Sequence, residues 1–160
     1  MNTDAQAAKL IELCRTKKLT VATAESCTGG MIAAAITAVP GSSAVLDRGF
    51  VTYSNAAKSE LLDVPAELIE AVGAVSEAVA RRMALGARQR AGVDVAVSVT
   101  GIAGPDGGSP DKPVGTVWFG LAGADGEVAT HHRLFPGDRQ AIRAASTSFA
   151  LQLLWEEANS

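Results

Sequence analysis

The chain contains 160 residues, of which 48% are hydrophobic and 19% are charged. These proportions are typical of a globular protein and argue against extended disorder. The 14 basic and 17 acidic side chains give a net charge of −3, so the chain lacks the basic surface of a dedicated nucleic-acid-binding protein. Two cysteines are too few for a disulfide scaffold or a four-ligand zinc site.

No stretch approaches the ~18 consecutive apolar residues of a membrane helix, and the polar N-terminal segment lacks a signal-peptide pattern. We therefore expect a cytoplasmic protein with reduced thiols that binds neither a membrane nor nucleic acid. No repeat or change of composition divides the chain, which favours a single domain over residues 1–160. Alanine-rich helical faces and an apolar final helix favour a homo-oligomer.

Hydrophobic periodicity predicts the elements in chain order. Helices are predicted at residues 4–17, 31–39, 55–62 and 76–91, with one or two helical turns at 65–71. Asn55 is the predicted N-cap of the third helix. Strands are predicted at residues 19–24, 48–54, 93–99, 114–121 and 127–135, and a last helix at 139–157. Helices between the early strands favour parallel pairing, whereas the last two strands favour a hairpin. The expected fold is therefore an α/β, three-layer domain with a mixed, mainly parallel sheet covered by helices.

The turn at residues 25–30 (ESCTGG) follows a buried strand and precedes a helix. Ligands of open α/β sheets bind at the edge formed by the carboxyl ends of the strands, and the start of the next helix offers unpaired amides. Ser26 would lie at the junction, and Gly29 and Gly30 would let a ligand approach the backbone. A turn capped by Ser26 or Thr28 is the simpler interpretation.

Two further segments could bind a ligand. The loop at residues 100–108 (TGIAGPDGG) contains four glycines, which indicates either a shaped site or a flexible loop. Arg139 and Arg143 are four residues apart at a helix start, where they would suit a phosphate or form a solvated pair. His131 and His132 are adjacent on a strand and point to opposite faces, so no metal site is expected. Cys27 is better explained as a small buried side chain than as a nucleophile.

Six ordered segments carry a family resemblance: 24–30 (AESCTGG), 49–58 (GFVTYSNAAK), 73–77 (GAVSE), 98–108 (SVTGIAGPDGG), 112–118 (KPVGTVW) and 135–143 (FPGDRQAIR). Together they resemble the C-terminal domain of the competence/damage-inducible protein CinA over about residues 8–156. Stand-alone members of this family are similar to nicotinamide-nucleotide amidases, which hydrolyse the carboxamide of nicotinamide mononucleotide (NMN) in pyridine nucleotide salvage.

The resemblance implies a Ser–Lys type mechanism without a cofactor or metal. Ser26 would be the nucleophile, Lys58 its base, and Tyr53 a group that orients or relays the proton. Lys58 must then be neutral, which requires burial or a nearby positive potential to lower its pKa from ~10.4. Glu25 could be an acid in the site or a buried charge paired with an arginine.

The substrate contacts implied by the resemblance come from the same three segments. Arg139 and Arg143 would bind the phosphate of the nucleotide substrate. Backbone amides of the turn or of the glycine loop would bind the oxyanion, and the loop would enclose the ribose or ring. The remaining predicted contacts are Thr28, Gly29, Gly30, Thr100, Gly101 and Gly104.

Two alternatives remain open. The chain could be a nucleotide-binding or interaction module without turnover, although Ser26, Tyr53 and Lys58 are all present. It could also be an amidohydrolase acting on another small amide, but such an enzyme would not need two phosphate-binding arginines.

Overall fold

Helices and strands alternate along the first two-thirds of the chain and end in a hairpin and a long helix. The structure is a computed structural model that describes residues 2–160. Its helices are α1 (Thr3–Lys17), α2 (Met31–Thr37), α3 (Asn55–Leu62), α4 (Ala66–Val72), α5 (Glu77–Ala91) and α6 (Arg139–Asn159), with a short 3-10 turn at Ser42–Ala44. Its strands are β1 (Val21–Glu25), β2 (Leu46–Val51), β3 (Val95–Gly101), β4 (Thr116–Ala122) and β5 (Val128–Leu134).

The five strands form one mixed sheet in the order β2-β1-β3-β4-β5. β1 pairs in parallel with β2 and β3, whereas β3–β4 and β4–β5 are antiparallel. Glu25 pairs with Val51 on one side and with Val99 on the other. The chain segments that follow these three positions therefore meet at one edge of the sheet, where ligands of α/β sheets bind.

Helices cover both faces of the sheet. On one face α1, α2 and α6 pack against strand residues such as Val21, Val97 and Phe119. On the other face α3, α4 and α5 pack against the small residues Ala22 and Ala96. The three layers and the mixed sheet confirm the expected fold class, and the parallel part consists of β2, β1 and β3.

The predicted boundaries are wrong where the chain leaves the sheet. β2 ends at Val51, because Thr52 to Ser54 turn away to begin α3. Ser54, and not Asn55, is the N-cap of α3: its Oγ accepts a hydrogen bond from the Ala57 amide at 3.0 Å. β3 extends to Gly101, so Thr100 and Gly101 end a strand and do not belong to the following loop.

Candidate active site

Ser26 and Lys58 lie in contact at the edge of the sheet where β1 and β2 end. Ser26 is the first residue after β1, and its amide donates to the Val99 carbonyl at 3.0 Å. Lys58 comes from α3, which begins directly after the chain leaves β2. Lys58 Nζ donates to Ser26 Oγ at 3.1 Å. Two segments that are 32 residues apart in sequence thus bring an amine within proton-transfer distance of a hydroxyl.

The amine of Lys58 is buried among polar groups of the backbone. The side chain is 1% exposed, and Nζ also donates to the carbonyl oxygens of Thr52 at 2.9 Å and Tyr53 at 3.3 Å. Burial lowers the pKa of Lys58 below its ordinary value, because it disfavours the charged ammonium. Sequence analysis required burial or a nearby positive potential to lower the pKa of Lys58, and the burial is observed. No carboxylate is among the hydrogen-bond partners found for Nζ in the described residues.

The turn after Ser26 is organised by the carboxylate of Glu25, which is fully buried. Its Oε1 accepts hydrogen bonds from the Thr28 hydroxyl at 2.6 Å and from the amides of Gly30 and Ile32 at 3.2 and 2.9 Å. Its Oε2 accepts from the Ala33 amide at 3.0 Å. Glu25 therefore fills the N-terminus of α2. It contacts no arginine in the described chain, contrary to one of the two roles considered for it.

Arg143 supports the same turn from α6. Its Nε donates to the Cys27 carbonyl at 3.0 Å and its Nη2 to the Thr28 carbonyl at 3.3 Å. Gly29 lies directly beneath this guanidinium, since a Cβ at Gly29 would approach Nη2 to 3.3 Å. Gly29 and Gly30 have φ values of +57° and +106°, so the turn needs glycine for its backbone conformation.

Tyr53 and Arg139 form an exposed bridge beside the buried pair. Arg139 Nη2 donates to the Tyr53 hydroxyl at 3.0 Å, and Nη1 donates to the Gly104 carbonyl at 2.8 Å. Tyr53 is 61% exposed. Its contact with Lys58 is made by the main-chain carbonyl and not by the phenol. The bridge joins the start of α3, the glycine loop and the start of α6.

A cavity of about 280 Å³ opens over the Ser26–Lys58 pair. Seven of the residues predicted as catalytic or substrate-binding line it: Ser26, Tyr53, Lys58, Thr100, Gly101, Gly104 and Arg139. A neighbouring cavity of about 530 Å³ shares Ala103 and Arg139 with the first and also contains Arg143. We call the cavity over the Ser26–Lys58 pair the inner cavity and its neighbour the outer cavity. Arg139 lines both cavities, whereas Arg143 lines only the outer one.

Three predicted substrate contacts lie outside both cavities. Thr28 is fully buried and its hydroxyl donates to Glu25. The Gly30 amide also donates to Glu25, and Gly29 packs against Arg143. Their role in binding substrate stays a prediction that this placement does not support, because their polar groups already have partners inside the protein.

Two polar side chains that line the inner cavity, Asn55 and Asp106, were not predicted as catalytic or substrate-binding residues. Asp106 is exposed, and no other carboxylate of the described residues lines this cavity. The sequence signal for Asp106 was its place in the glycine loop, where only the glycines were considered. Thr100, whose hydroxyl donates to the Ala74 carbonyl at 3.0 Å, joins two other parts of the cavity lining.

Cys27 and the two histidines are the other reactive groups that the sequence raised for this site. Burial raises the pKa of the Cys27 thiol to about 11, so the reactive thiolate is scarce at neutral pH. No group of three or more His, Cys, Asp or Glu side chains within residues 2–160 could hold a metal ion. His132 lies against Trp118, with ring centroids 4.8 Å apart.

None of the helices within residues 2–160 combines the length and the hydrophobicity that a membrane span requires.

Similarity to known proteins covers nearly the whole chain. The family described as the CinA C-terminal domain matches residues 3–158. A protein of Enterobacter agglomerans named nicotinamide-nucleotide amidohydrolase PncC is 63% identical over 86% of this chain and 84% of its own length. The protein of that name from Escherichia coli K12 is 56% identical over 86% of this chain and 84% of its own length.

Solved structures share the same fold. A competence/damage-inducible protein from Agrobacterium tumefaciens is 46% identical and superposes with a TM-score of 0.95, covering 99% of this chain and 96% of that one. A CinA-superfamily protein from Klebsiella pneumoniae is 38% identical with a TM-score of 0.94, covering 99% of both chains.

Proposed function

The chain belongs to the CinA C-terminal domain family, and on that premise we propose that it hydrolyses the carboxamide of NMN to nicotinate mononucleotide and ammonia. The observation that carries the proposal is the 3.1 Å contact between Ser26 Oγ and a lysine amine that is 1% exposed. The two curated relatives named nicotinamide-nucleotide amidohydrolase supply the substrate.

In the first half of the reaction, neutral Lys58 accepts the proton of the Ser26 hydroxyl as Oγ attacks the carboxamide carbon. The carbonyls of Thr52 and Tyr53 hold the amine in place by accepting its N–H groups. A tetrahedral intermediate forms, and its collapse breaks the C–N bond. Lys58 donates its proton to the leaving nitrogen, so that ammonia departs and an ester to Ser26 remains.

In the second half, water attacks the ester carbon and Lys58 accepts a proton from it. Collapse of the second intermediate releases the nicotinate carboxyl group and returns the proton to Ser26 Oγ. Both intermediates carry an oxyanion, which needs a fixed donor. The Cys27 amide suits this role, since it follows the nucleophile, Cys27 lines the cavity, and the amide has no carbonyl or carboxylate acceptor among the described residues.

Each of the two cavities binds a different part of the substrate in this proposal. The inner cavity takes the carboxamide and ring, with the exposed carboxylate of Asp106 facing the positive charge of the pyridinium. Arg139 lies between the cavities and binds the phosphate, with Arg143 in the outer cavity as a second donor. Arginine suits phosphate because its N–H groups form a planar fork.

Ammonia release by the purified protein tests the proposal. Wild type is compared with Ser26→Ala on NMN, with nicotinamide and glutamine as control amides. Ser59→Ala is the matched serine variant, because Ser59 follows Lys58 on α3 and lies outside the inner cavity. We expect NMN-specific ammonia from wild type and Ser59→Ala, and none from folded Ser26→Ala.

Other results would change the proposal in distinct ways. Full activity in Ser26→Ala would keep the amidase and reject the serine nucleophile. Absence of ammonia from wild type, with NMN binding by calorimetry, would favour the binding module. Hydrolysis of a control amide in preference to NMN would favour the other class of amidohydrolase.

A further inference from the structure

Glu25 is the residue next to the nucleophile, and its side chain does not reach the inner cavity. The side chain is fully buried, and its two oxygens accept four hydrogen bonds, at 2.6 to 3.2 Å, from Thr28, Gly30, Ile32 and Ala33. A carboxylate with four donors and no solvent contact has no access to substrate, so it does not transfer protons in the reaction.

The hydrogen bonds of Glu25 hold the nucleophile on its C-terminal side. Ser26 is fixed on its N-terminal side by the bond from its amide to Val99. Beyond Ser26 the chain has left the sheet, and the carboxylate of Glu25 ties residues 28–33 back to the end of β1. The turn that follows Ser26 is therefore held to the end of β1 by the Glu25 side chain.

The main chain of Glu25 also supports the base. The Glu25 carbonyl accepts a hydrogen bond from the Thr52 amide at 2.8 Å. The Thr52 carbonyl in turn accepts from Lys58 Nζ at 2.9 Å. One residue is thus linked through its side chain to the turn that carries Ser26, and through its backbone to the peptide that holds Lys58.

We propose that Glu25 is a positioning residue, whose side chain sets the reach of the turn so that Ser26 Oγ meets Lys58 Nζ and the Cys27 amide faces the cavity. The proposal rests on the proposed Ser26–Lys58 chemistry. The position of the turn should depend more on the length of the Glu25 side chain than on its charge, because four donors must reach its two oxygens. A misplacement of about 1 Å in such a pair can cost about 100-fold in rate.

Two variants separate length from charge. Glu25→Gln keeps the length and the oxygen that accepts three bonds, and loses the acceptor for the Ala33 amide. Glu25→Asp keeps the charge and withdraws the carboxylate by one methylene. We expect kcat on NMN to fall by about tenfold or less in Glu25→Gln and about 100-fold in Glu25→Asp, with KM within about twofold of wild type in both.

Leu154→Val controls for lost stability. Leu154 is buried in α6, eleven residues beyond Arg143, and lines neither cavity. Thermal melting of all three variants would show whether kcat follows stability or the change at position 25. The proposal would be overturned if kcat fell in proportion to melting temperature in all three variants, with Leu154→Val following the same relation as the two Glu25 variants.

A second readout does not depend on NMN. Phosphonylation of Ser26 by a fluorophosphonate, with Ser26→Ala as the blank, measures the reactivity of the nucleophile directly. The same order of rates, with wild type fastest and Glu25→Asp slowest, would support the positioning role even if wild type released no ammonia from NMN, in which case only the proposed substrate would fail. Equal rates in all forms, a slower Glu25→Gln than Glu25→Asp, or an unreactive wild-type Ser26 would overturn it.

Discussion

The buried Ser26–Lys58 pair and the exposed Tyr53–Arg139 bridge line the same small cavity. Ser26 and Lys58 are 8% and 1% exposed, and each is held by backbone groups. Tyr53 is 61% exposed, and Arg139 is exposed at the start of α6. The first pair is fixed before any ligand arrives, whereas the second can adjust to one.

This difference assigns different tasks to the two sides. Removal of water strengthens electrostatic interactions and changes proton affinities, so the buried pair suits the proposed chemistry. Exposed side chains contribute less energy each and suit recognition of charge. We therefore expect substitutions on the buried side to lower kcat and substitutions on the exposed side to raise KM.

The largest effect is expected from Lys58→Met. A general base contributes about 10²–10⁴-fold, so kcat on NMN should fall by about 100- to 10,000-fold, and Ser26→Ala in addition should cost little more. Methionine also removes a buried amine that the protein must desolvate. The melting temperature should therefore equal or exceed that of wild type, and a large loss of stability would show that Lys58 is structurally required.

The pH dependence follows from the lowered pKa of Lys58. In the proposed mechanism the neutral amine is the base, so kcat/KM should rise with pH through an inflection below the ordinary lysine value of ~10.4. The unfolded chain binds this proton more tightly than the folded chain. Wild type should thus lose stability relative to Lys58→Met as pH falls from ~10.4 toward the lowered pKa. An inflection at or above ~10.4 would contradict the assignment.

Tyr53→Phe breaks the exposed bridge and leaves the carbonyl that holds Lys58. Loss of the hydrogen bond to Arg139 is worth about 1 kcal/mol, or about fivefold, which should be seen in KM. Steady-state kinetics on NMN would measure the two parameters separately. A fall in kcat comparable to that of Lys58→Met would instead support the proton relay that the family resemblance implied for Tyr53.

The smallest effect is expected from Asp106→Asn. An exposed carboxylate facing a pyridinium contributes about 0.2–1 kcal/mol, so KM for NMN should rise up to about fivefold and less at high salt. The dihydro form of NMN has a neutral ring, and its inhibition constant should not change. Asp111→Asn, in the same segment but outside the cavity, is the matched control. Equal weakening of both ligands would reject a role in charge recognition.

Hydrophobic patterning predicted most of the helices and strands, because most helices pack one face against the sheet and the strands carry the residues that those faces contact. It missed the ends of β2 and β3, where tertiary contacts compete with strand propensity: the Ser54 hydroxyl caps α3, and Thr100 and Gly101 continue the pairing of β3 with β4. Most of the residues that the family motifs named line the inner cavity, and their roles stay predictions. Asp106 was missed because the glycines around it drew the interpretation toward backbone shape.

The local sequence determined which segments form helices and strands and which turns need glycine, and the family resemblance named the candidate nucleophile and base. Only the tertiary structure decided how these groups are used. Parallel pairing of β1 with β2 and β3 brings the turns after Glu25 and Val51 together, and this contact buries Lys58 against Ser26. The same packing gives Glu25 and Arg143 to the turn beside Ser26, because amides and carbonyls that leave a sheet must find partners, and no local pattern tells which side chain will supply them.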